Sequence, residues 1–185
     1  MSKLLESHNC FKNEYIDKEY PGCTLKHFNK ITQQHIPKSQ SHLIGSPFAW
    51  LCFLPIKVRG YYGEKILERF FFLMEQEYCK DKGRGDGLLN REEIEIKTSV
   101  QSRNGNFSAN QVRSKGPSKI YLLCFFPTVM KLYQCERDKL RQFGGRPSES
   151  EHKQIPITEE IRNNVFCEVK ENEWKPSLPY LSFWG

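Results

Sequence analysis

Arg84-Gly85-Asp86-Gly87-Leu88-Leu89-Asn90-Arg91-Glu92-Glu93-Ile94-Glu95-Ile96-Lys97-Thr98-Ser99-Val100 is the stretch around which the rest of the chain is organised. It passes from glycines and charges into alternating polar and apolar residues, the period-two signature of a strand. Asn90-Arg91 separates two such runs, so two strands joined at that dipeptide fit best. In the second strand Glu93, Glu95 and Lys97 share one face while Ile94, Ile96 and Thr98 share the other, because successive side chains point to opposite sides. Packing explains the apolar face. An acidic, acidic, basic face beside it calls for a chemical reason.

Upstream, residues 1–47 are polar and broken by Pro21-Gly22, Pro37 and Ser46-Pro47, with short helices expected around 4–18 and 24–34. The chain turns apolar from Pro47 to Val58, and a helix is expected to start near Gly60 and Gly63. From Glu64 to Tyr78, residues 66, 67, 70, 71, 74 and 78 form one apolar stripe at helical spacing. Glu64, Glu68 and Glu75 fall beside that stripe, where one or more could enter a site at the edge of the core.

Downstream, Ser108 is expected to cap a short helix through Arg113, which Gly116-Pro117 ends. Residues 119–126 read as a buried strand, 129–135 as its antiparallel neighbour, and 136–143 as a helix ended by Gly144-Gly145. The last part holds Ile155-Pro156-Ile157, a helix starting near Thr158, a strand over 164–169 and an aromatic end at 180–184.

A chain of 185 residues has room for one domain, and 13% aromatic residues argue against general disorder. A single domain over 1–185 is expected, with a polar N-terminal part (1–47), a core (about 48–146) and a C-terminal extension (147–185). No apolar run approaches the roughly 18 to 20 residues of a membrane span, and the first residues lack the apolar segment of a secretion signal. A cytoplasmic location is the expectation. Seven cysteines with no short paired spacing argue against a disulfide framework, and the nearby His8, Cys10, Cys23 and His27 form no zinc knuckle. Cys52, Cys124 and Cys167 sit among apolar residues and are expected to behave as small hydrophobes.

The charge is uneven. Residues 100–146 carry nine Lys and Arg against two Asp and Glu, interleaved with Asn104, Asn106, Asn110 and Gln111, while the whole chain is only +6. Lysines and arginines neutralise phosphates, and Asn, Gln and Arg can read base edges, so this segment suits a nucleic acid.

Two carboxylates on adjacent strands, Asp86 and Glu95, make a hard oxygen site for Mg²⁺. A bound Mg²⁺ acidifies water and stabilises charge on a phosphate, and a lysine beside it, Lys97, can position that water. These residues resemble the PD-(D/E)xK nuclease superfamily, in particular type II restriction endonucleases. Asp86 matches the acidic residue and Glu95-Ile96-Lys97 the (D/E)xK element, with Gly85 where a proline is usual. Asn106-Phe107-Ser108-Ala109-Asn110-Gln111-Val112-Arg113 is similar to the family's polar FxxNQIR helix, and Tyr121 to Pro127 to the strand after it. The helix bearing Glu64 or Glu68 resembles the one that supplies a further carboxylate in some members.

The resemblance covers roughly residues 60–146. It implies an α/β (α+β) restriction-endonuclease-like core, a central mixed β-sheet flanked by helices. It further implies Mg²⁺, with Mn²⁺ able to substitute, held by Asp86, Glu95 and the Ile96 carbonyl, with Lys97 and either Glu64 or Glu68 in the catalytic set. Arg103, Asn104, Asn106, Asn110, Gln111, Arg113, Lys115 and Lys119 would contact DNA. The implied activity is site-specific cleavage of double-stranded DNA leaving 5′-phosphates, by a homodimer paired through the apolar 48–54 segment or the aromatic C-terminus, with a cognate DNA methyltransferase acting on the same site. The alternatives are a repair, junction-resolving or transposon-end nuclease of the same fold, and a noncatalytic DNA-binding protein.

Overall fold

A computed structural model describes residues 18–19, 25–80, 85–110, 112, 115–143 and 154–169. It contains helix α1 (Leu25–Gln33), two 3₁₀ segments (Lys38–Leu43 and Ala49–Phe53), helix α2 (Ile56–Leu73), strands β1 (Tyr78–Cys79), β2 (Gly87–Leu89), β3 (Glu92–Val100), β4 (Phe107–Ala109), β5 (Lys119–Phe125) and β6 (Met130–Glu136), helix α3 (Arg137–Phe143), strand β7 (Ile155–Ile157), helix α4 (Glu159–Val165) and strand β8 (Cys167–Glu168). The protein is mixed α/β. Six strands form one sheet in the order β1-β2-β3-β5-β6-β8, and β4 pairs with β7 in a separate ribbon. Among the described residues only β3 and β5 run parallel, and every other pair is antiparallel.

The opening hairpin forms as read. Asn90 and Arg91 both have positive φ, 51° and 70°, as a two-residue turn with the right twist for a hairpin requires. The two faces of β3 also separate. Ile94 and Ile96 join Leu67, Phe70 and Phe71 of α2 in one core, which extends over Tyr121, Leu123 and Phe125 of β5. Parallel pairing sets Glu95 beside Ile120, Lys97 beside Leu122 and Ser99 beside Cys124. Ile120, Leu122 and Cys124 belong to the second core, with Leu140 of α3 and Val165 of α4. The charged residues of β3 therefore share the sheet face covered by α3 and α4. β5 is buried on both faces, which is why it reads as one continuous apolar run. Each fully buried Leu, Ile or Phe contributes about 1.5–3 kcal/mol.

Helix α2 crosses the first face closely enough that Gly63 has no room for a side chain, since a Cβ there would stand 1.7 Å from Thr98 Oγ1. The helix begins at Ile56, earlier than Gly60, and ends at Leu73, five residues before Tyr78. Its end is a Schellman closure. Glu75 takes φ 55°, its N–H donates to Phe72 O at 3.2 Å, and the Gln76 N–H donates to Phe71 O at 2.9 Å. Glu75 is thereby spent on the cap, and Tyr78 opens a strand instead of completing the helical stripe.

Other expectations need correction. Phe107–Ala109 is a strand, with Phe107 opposite Ile157 and Ala109 opposite Ile155, so the helix expected from Ser108 does not form there. Alternating burial of Phe107 and Ala109 against the second core outweighs the capping tendency of Ser108. In the 48–54 segment Phe48, Trp50, Leu51 and Leu54 belong to the protein's own core and Ala49 is buried as well, while Cys52 and Phe53 are half-buried. Asn164 and Val165 close α4, and the strand that follows is limited to Cys167–Glu168. Cys167 is exposed, not embedded among apolar side chains. Thr158 caps α4 as expected, its hydroxyl accepting from Ile161 N–H at 3.2 Å. All of the expected helix at 4–18 but its last residue, the possible zinc ligands His8, Cys10 and Cys23, and the aromatic end at 180–184 lie outside the described residues. Among the described residues no helix is long and apolar enough to cross a membrane.

Candidate active site

Asp86 stands at the entrance to β2, folded back on the middle of β3. Its N–H donates to Ile94 O at 2.9 Å, and its Oδ2 accepts from Ile96 N–H at 2.7 Å. Oδ1 accepts no hydrogen bond from any described residue. The glycines on either side permit this approach. A Cβ on Gly85 would lie 2.6 Å from the Ile94 carbonyl oxygen and 2.8 Å from Pro117 Cγ, and one on Gly87 would lie 2.5 Å from the Tyr78 ring. The Tyr78 hydroxyl in turn donates to the Asp86 carbonyl at 3.3 Å.

Burial raises the Asp86 pKa above the ordinary carboxylate value; the Ile96 hydrogen bond and the Lys97 charge act against that rise, and the Glu64 and Glu95 charges add to it. The same surroundings push Tyr78 up to about 12, through burial first and then the charges of Glu64, Glu68 and Asp86. Tyr78 therefore stays a hydrogen-bond donor at neutral pH.

Glu95 is a buried carboxylate held between two cations. Lys97 Nζ is 2.7 Å from Oε1, and the Arg137 guanidinium binds Oε2 through Nη2. The side chains of Glu95, Lys97 and Arg137 are 7%, 16% and 5% exposed, so solvent screens this cluster little. Arg137 is anchored further by Nε donating to Pro117 O at 2.7 Å and by its backbone N–H donating to Ser118 O at 2.6 Å. Gly116 leaves space for the guanidinium, since a Cβ there would come within 2.7 Å of Nη2.

The chain matches no protein-family model, and no curated protein matches it.

Of the residues singled out in the sequence, the structure brings Asp86, Glu95 and Lys97 together around Ile96. The two helix glutamates part company. Glu64 pairs with Lys80 at 2.9 Å and its charge acts on Asp86, whereas Glu68 pairs with Lys65 at 2.6 Å on the more exposed part of α2. Among the described residues no three His, Cys, Asp or Glu side chains converge closely enough to hold a metal ion, so neither glutamate completes a three-carboxylate cluster. The donor set that remains is the Asp86 Oδ1, the unused lone pairs of Glu95 and the Ile96 carbonyl. These are hard oxygens, and they fit Mg²⁺, which keeps several waters and takes few protein ligands.

The polar residues of the basic segment are dispersed. Arg103, Asn104 and Asn106 lie in the β3–β4 loop, beyond Val100 and roughly 17 Å along β3 from Glu95 at about 3.3 Å per residue. Asn104 Oδ1 is used within that loop, accepting from Ser102 Oγ and from Asn106 N–H, while Arg103 is exposed. Asn110 is half-buried after β4, Lys115 is exposed, and Lys119 forms an ion pair with Glu92. Gln111 and Arg113 lie outside the described residues. Arg137 is the member of the site that the sequence reading passed over, as one of nine cations in the basic segment. Only the β5–β6 register, Ile120 opposite Cys135, delivers the start of α3 to Glu95.

Proposed function

We propose that the protein is a Mg²⁺-dependent endonuclease of the PD-(D/E)xK kind, a site-specific type II restriction enzyme that cleaves double-stranded DNA and leaves 5′-phosphates. One observation carries the reading: the β2–β3 hairpin folds Asp86 onto Ile96 at 2.7 Å while Lys97 stands 2.7 Å from Glu95 on the same strand. A hairpin that turns at Asn90-Arg91 brings Asp86 level with Glu95, and the glycines on either side of Asp86 let its carboxylate reach the Ile96 N–H.

In this reading Asp86, Glu95 and the Ile96 carbonyl hold the metal, which when bound stabilises charge on the scissile phosphate and acidifies water. Lys97 orients the attacking water and offsets negative charge that develops on the phosphate during in-line displacement. Glu64 acts from α2 on the electrostatics of Asp86. The surplus of cations over residues 100–146 attracts the DNA backbone, and exposed Arg103 and Lys115 are available to it. A homodimer whose two-fold axis matches a palindromic site would supply one such centre to each strand. A restriction role also requires a methyltransferase that protects the same site.

The test is incubation of the purified protein with phage or plasmid DNA and Mg²⁺, beside an EDTA control and Lys97→Ala. Discrete fragments lost in both controls are expected, and sequencing their ends gives the site. Removing a group that acts in the transition state should lower the rate by on the order of 10²–10⁴-fold while DNA binding persists. Smeared products would point to a repair or nonspecific nuclease of the same fold. DNA left intact but shifted in a gel, with Lys97→Ala behaving like the wild type, would overturn the catalytic reading in favour of a binding protein.

A further inference from the structure

Pro117 touches both halves of the proposed centre. Its ring lies where a Gly85 side chain would have to go, next to Asp86, and its carbonyl accepts from Arg137 Nε at 2.7 Å. Arg137 then carries the connection to Glu95 through Nη2. The fork geometry of a guanidinium suits this, because two N–H groups leave in fixed directions and each finds an acceptor. A lysine could supply the charge but not two N–H groups in fixed directions.

Among the described residues of the centre the charges are matched as well. Asp86 and Glu95 contribute two negative charges, and Lys97 and Arg137 two positive ones. Glu64, which adds to the field at Asp86, has its own partner in Lys80 at 2.9 Å. A cation bound directly to Glu95 in a poorly screened pocket opposes the approach of a divalent ion to the same carboxylate. That arrangement makes a precise site at the expense of a strong one.

Resting on the nuclease reading, we propose that Arg137 is a positioning residue of the centre, clamping Glu95 in place and balancing its charge so that divalent metal binds the free protein weakly. Two properties are thereby assigned to one side chain, and they separate on substitution. Arg137→Gln removes the charge and most of the fork. Arg137→Lys keeps the charge and loses the fork. A residue that served folding alone would change both properties in the same direction, because a loosened site binds metal worse and cleaves worse.

The experiment measures Mn²⁺ binding to the free full-length protein by electron paramagnetic resonance of the unbound ion, alongside DNA cleavage at saturating metal. Circular dichroism and thermal melts establish which variants are folded. For folded Arg137→Gln, Mn²⁺ affinity should rise about tenfold, as expected from removing a unit charge beside a divalent ion. Its cleavage rate at saturating metal should fall on the order of 10²-fold, as for a catalytic group misplaced by about 1 Å. For Arg137→Lys, affinity should stay within about twofold of the wild type with the charge kept, while cleavage falls as Glu95 loses its second hydrogen-bonded anchor. Unchanged or weaker Mn²⁺ binding in Arg137→Gln, or wild-type cleavage in Arg137→Lys, would overturn the proposal. If Arg137→Gln does not fold, Arg137→Lys decides through both readouts: Mn²⁺ affinity kept within about twofold while cleavage falls supports the proposal, and affinity and cleavage lost together overturn it. A wild-type protein that cleaves while these variants fail to separate the two properties refutes the role of Arg137 only, whereas a wild type that neither binds Mn²⁺ nor cleaves DNA removes the nuclease reading and this proposal together.

Discussion

Two glycines in α2, three residues apart, should respond to the same substitution with opposite signs. In a helix interior, alanine is better than glycine by roughly 1 kcal/mol. At Gly60 an added Cβ has nothing within 4 Å, so Gly60→Ala should realise most of that gain, about 0.5–1 kcal/mol. At Gly63 the same atom would stand 1.7 Å from Thr98 Oγ1, 2.8 Å from its Cβ and 2.9 Å from its Cγ2. Ordinary contacts between carbon atoms begin near 3.5 Å, so the separation must open by well over an ångström at one atom and by roughly half an ångström at two more. Thr98 cannot swing away cheaply. It is β-branched, stiff at χ1, and set in a strand whose backbone is paired at that point with Leu123 of β5.

The helix has to lift from the sheet, or the threonine has to leave its rotamer, and overpacking of this kind costs about 1–3 kcal/mol. Set against the propensity gain, Gly63→Ala should lose up to about 2 kcal/mol net, leaving the two variants about 1–3 kcal/mol apart, the overpacking cost itself. Urea denaturation monitored by circular dichroism measures the difference, and in a chain of this length each kcal/mol corresponds to about 2–4 °C in melting temperature. A Gly63→Ala protein as stable as Gly60→Ala would refute the seating of α2 on β3. Because Thr98 follows Lys97, the same lift should also lower the proposed cleavage activity, which Gly60→Ala should leave alone.

Two further outcomes follow from the Asp86 turn. Gly85→Ala would force a methyl against the Ile94 backbone oxygen at 2.6 Å, which cannot move without distorting β3, so Asp86 should shift by a large part of an ångström and cleavage should drop on the order of 10²-fold with the fold retained; full activity of a folded Gly85→Ala protein would show that Asp86 needs no such placement. The pH dependence of stability should carry the mark of Asp86, whose pKa is raised in the folded protein chiefly by burial. The folded state then binds a proton more readily than the unfolded one, so the wild type should gain stability relative to Asp86→Asn as pH falls from the raised value toward the ordinary one near 3.8. Denaturant melts of both proteins between pH 7 and 4 test the sign, and a gap that moves the other way would mean that the Ile96 hydrogen bond and the Lys97 charge together outweigh burial.

Several elements were legible in the chain before any tertiary contact was known. The β2–β3 turn announced itself through Asn90, a residue that tolerates positive φ, placed between two patterned runs. β5 was visible as an unbroken apolar stretch, the α4 cap as a threonine ahead of two glutamates, and the division of β3 into a charged and an apolar face as strict alternation. All of these rest on chemistry within a few residues of chain. Asp86, Glu95 and Lys97 were found for the same reason, since a strand's period places Glu95 and Lys97 on one side and the hairpin returns Asp86 to them.

What failed was decided at longer range. Ser108 has the chemistry of a helix cap, yet Phe107–Ala109 became a strand because Ile155–Ile157, almost fifty residues away, offers a partner and the second core takes its apolar side chains. Glu75 fits the helical stripe by spacing, but the turn toward β1 requires a left-handed residue there. Glu64 and Glu68 are equivalent on a helical wheel, and only the position of β1, which brings Lys80 and Asp86 to one of them, tells them apart. Arg137 is the clearest case. It is 42 residues from Glu95, and their meeting depends on parallel pairing of β3 with β5 followed by antiparallel pairing of β5 with β6. Periodicity and turn chemistry determined which faces and hairpins the chain could form, because those depend on backbone geometry that each residue carries with it. The charge partners of the site were decided by the tertiary structure, because strand register is a property of the whole sheet and no single segment encodes it.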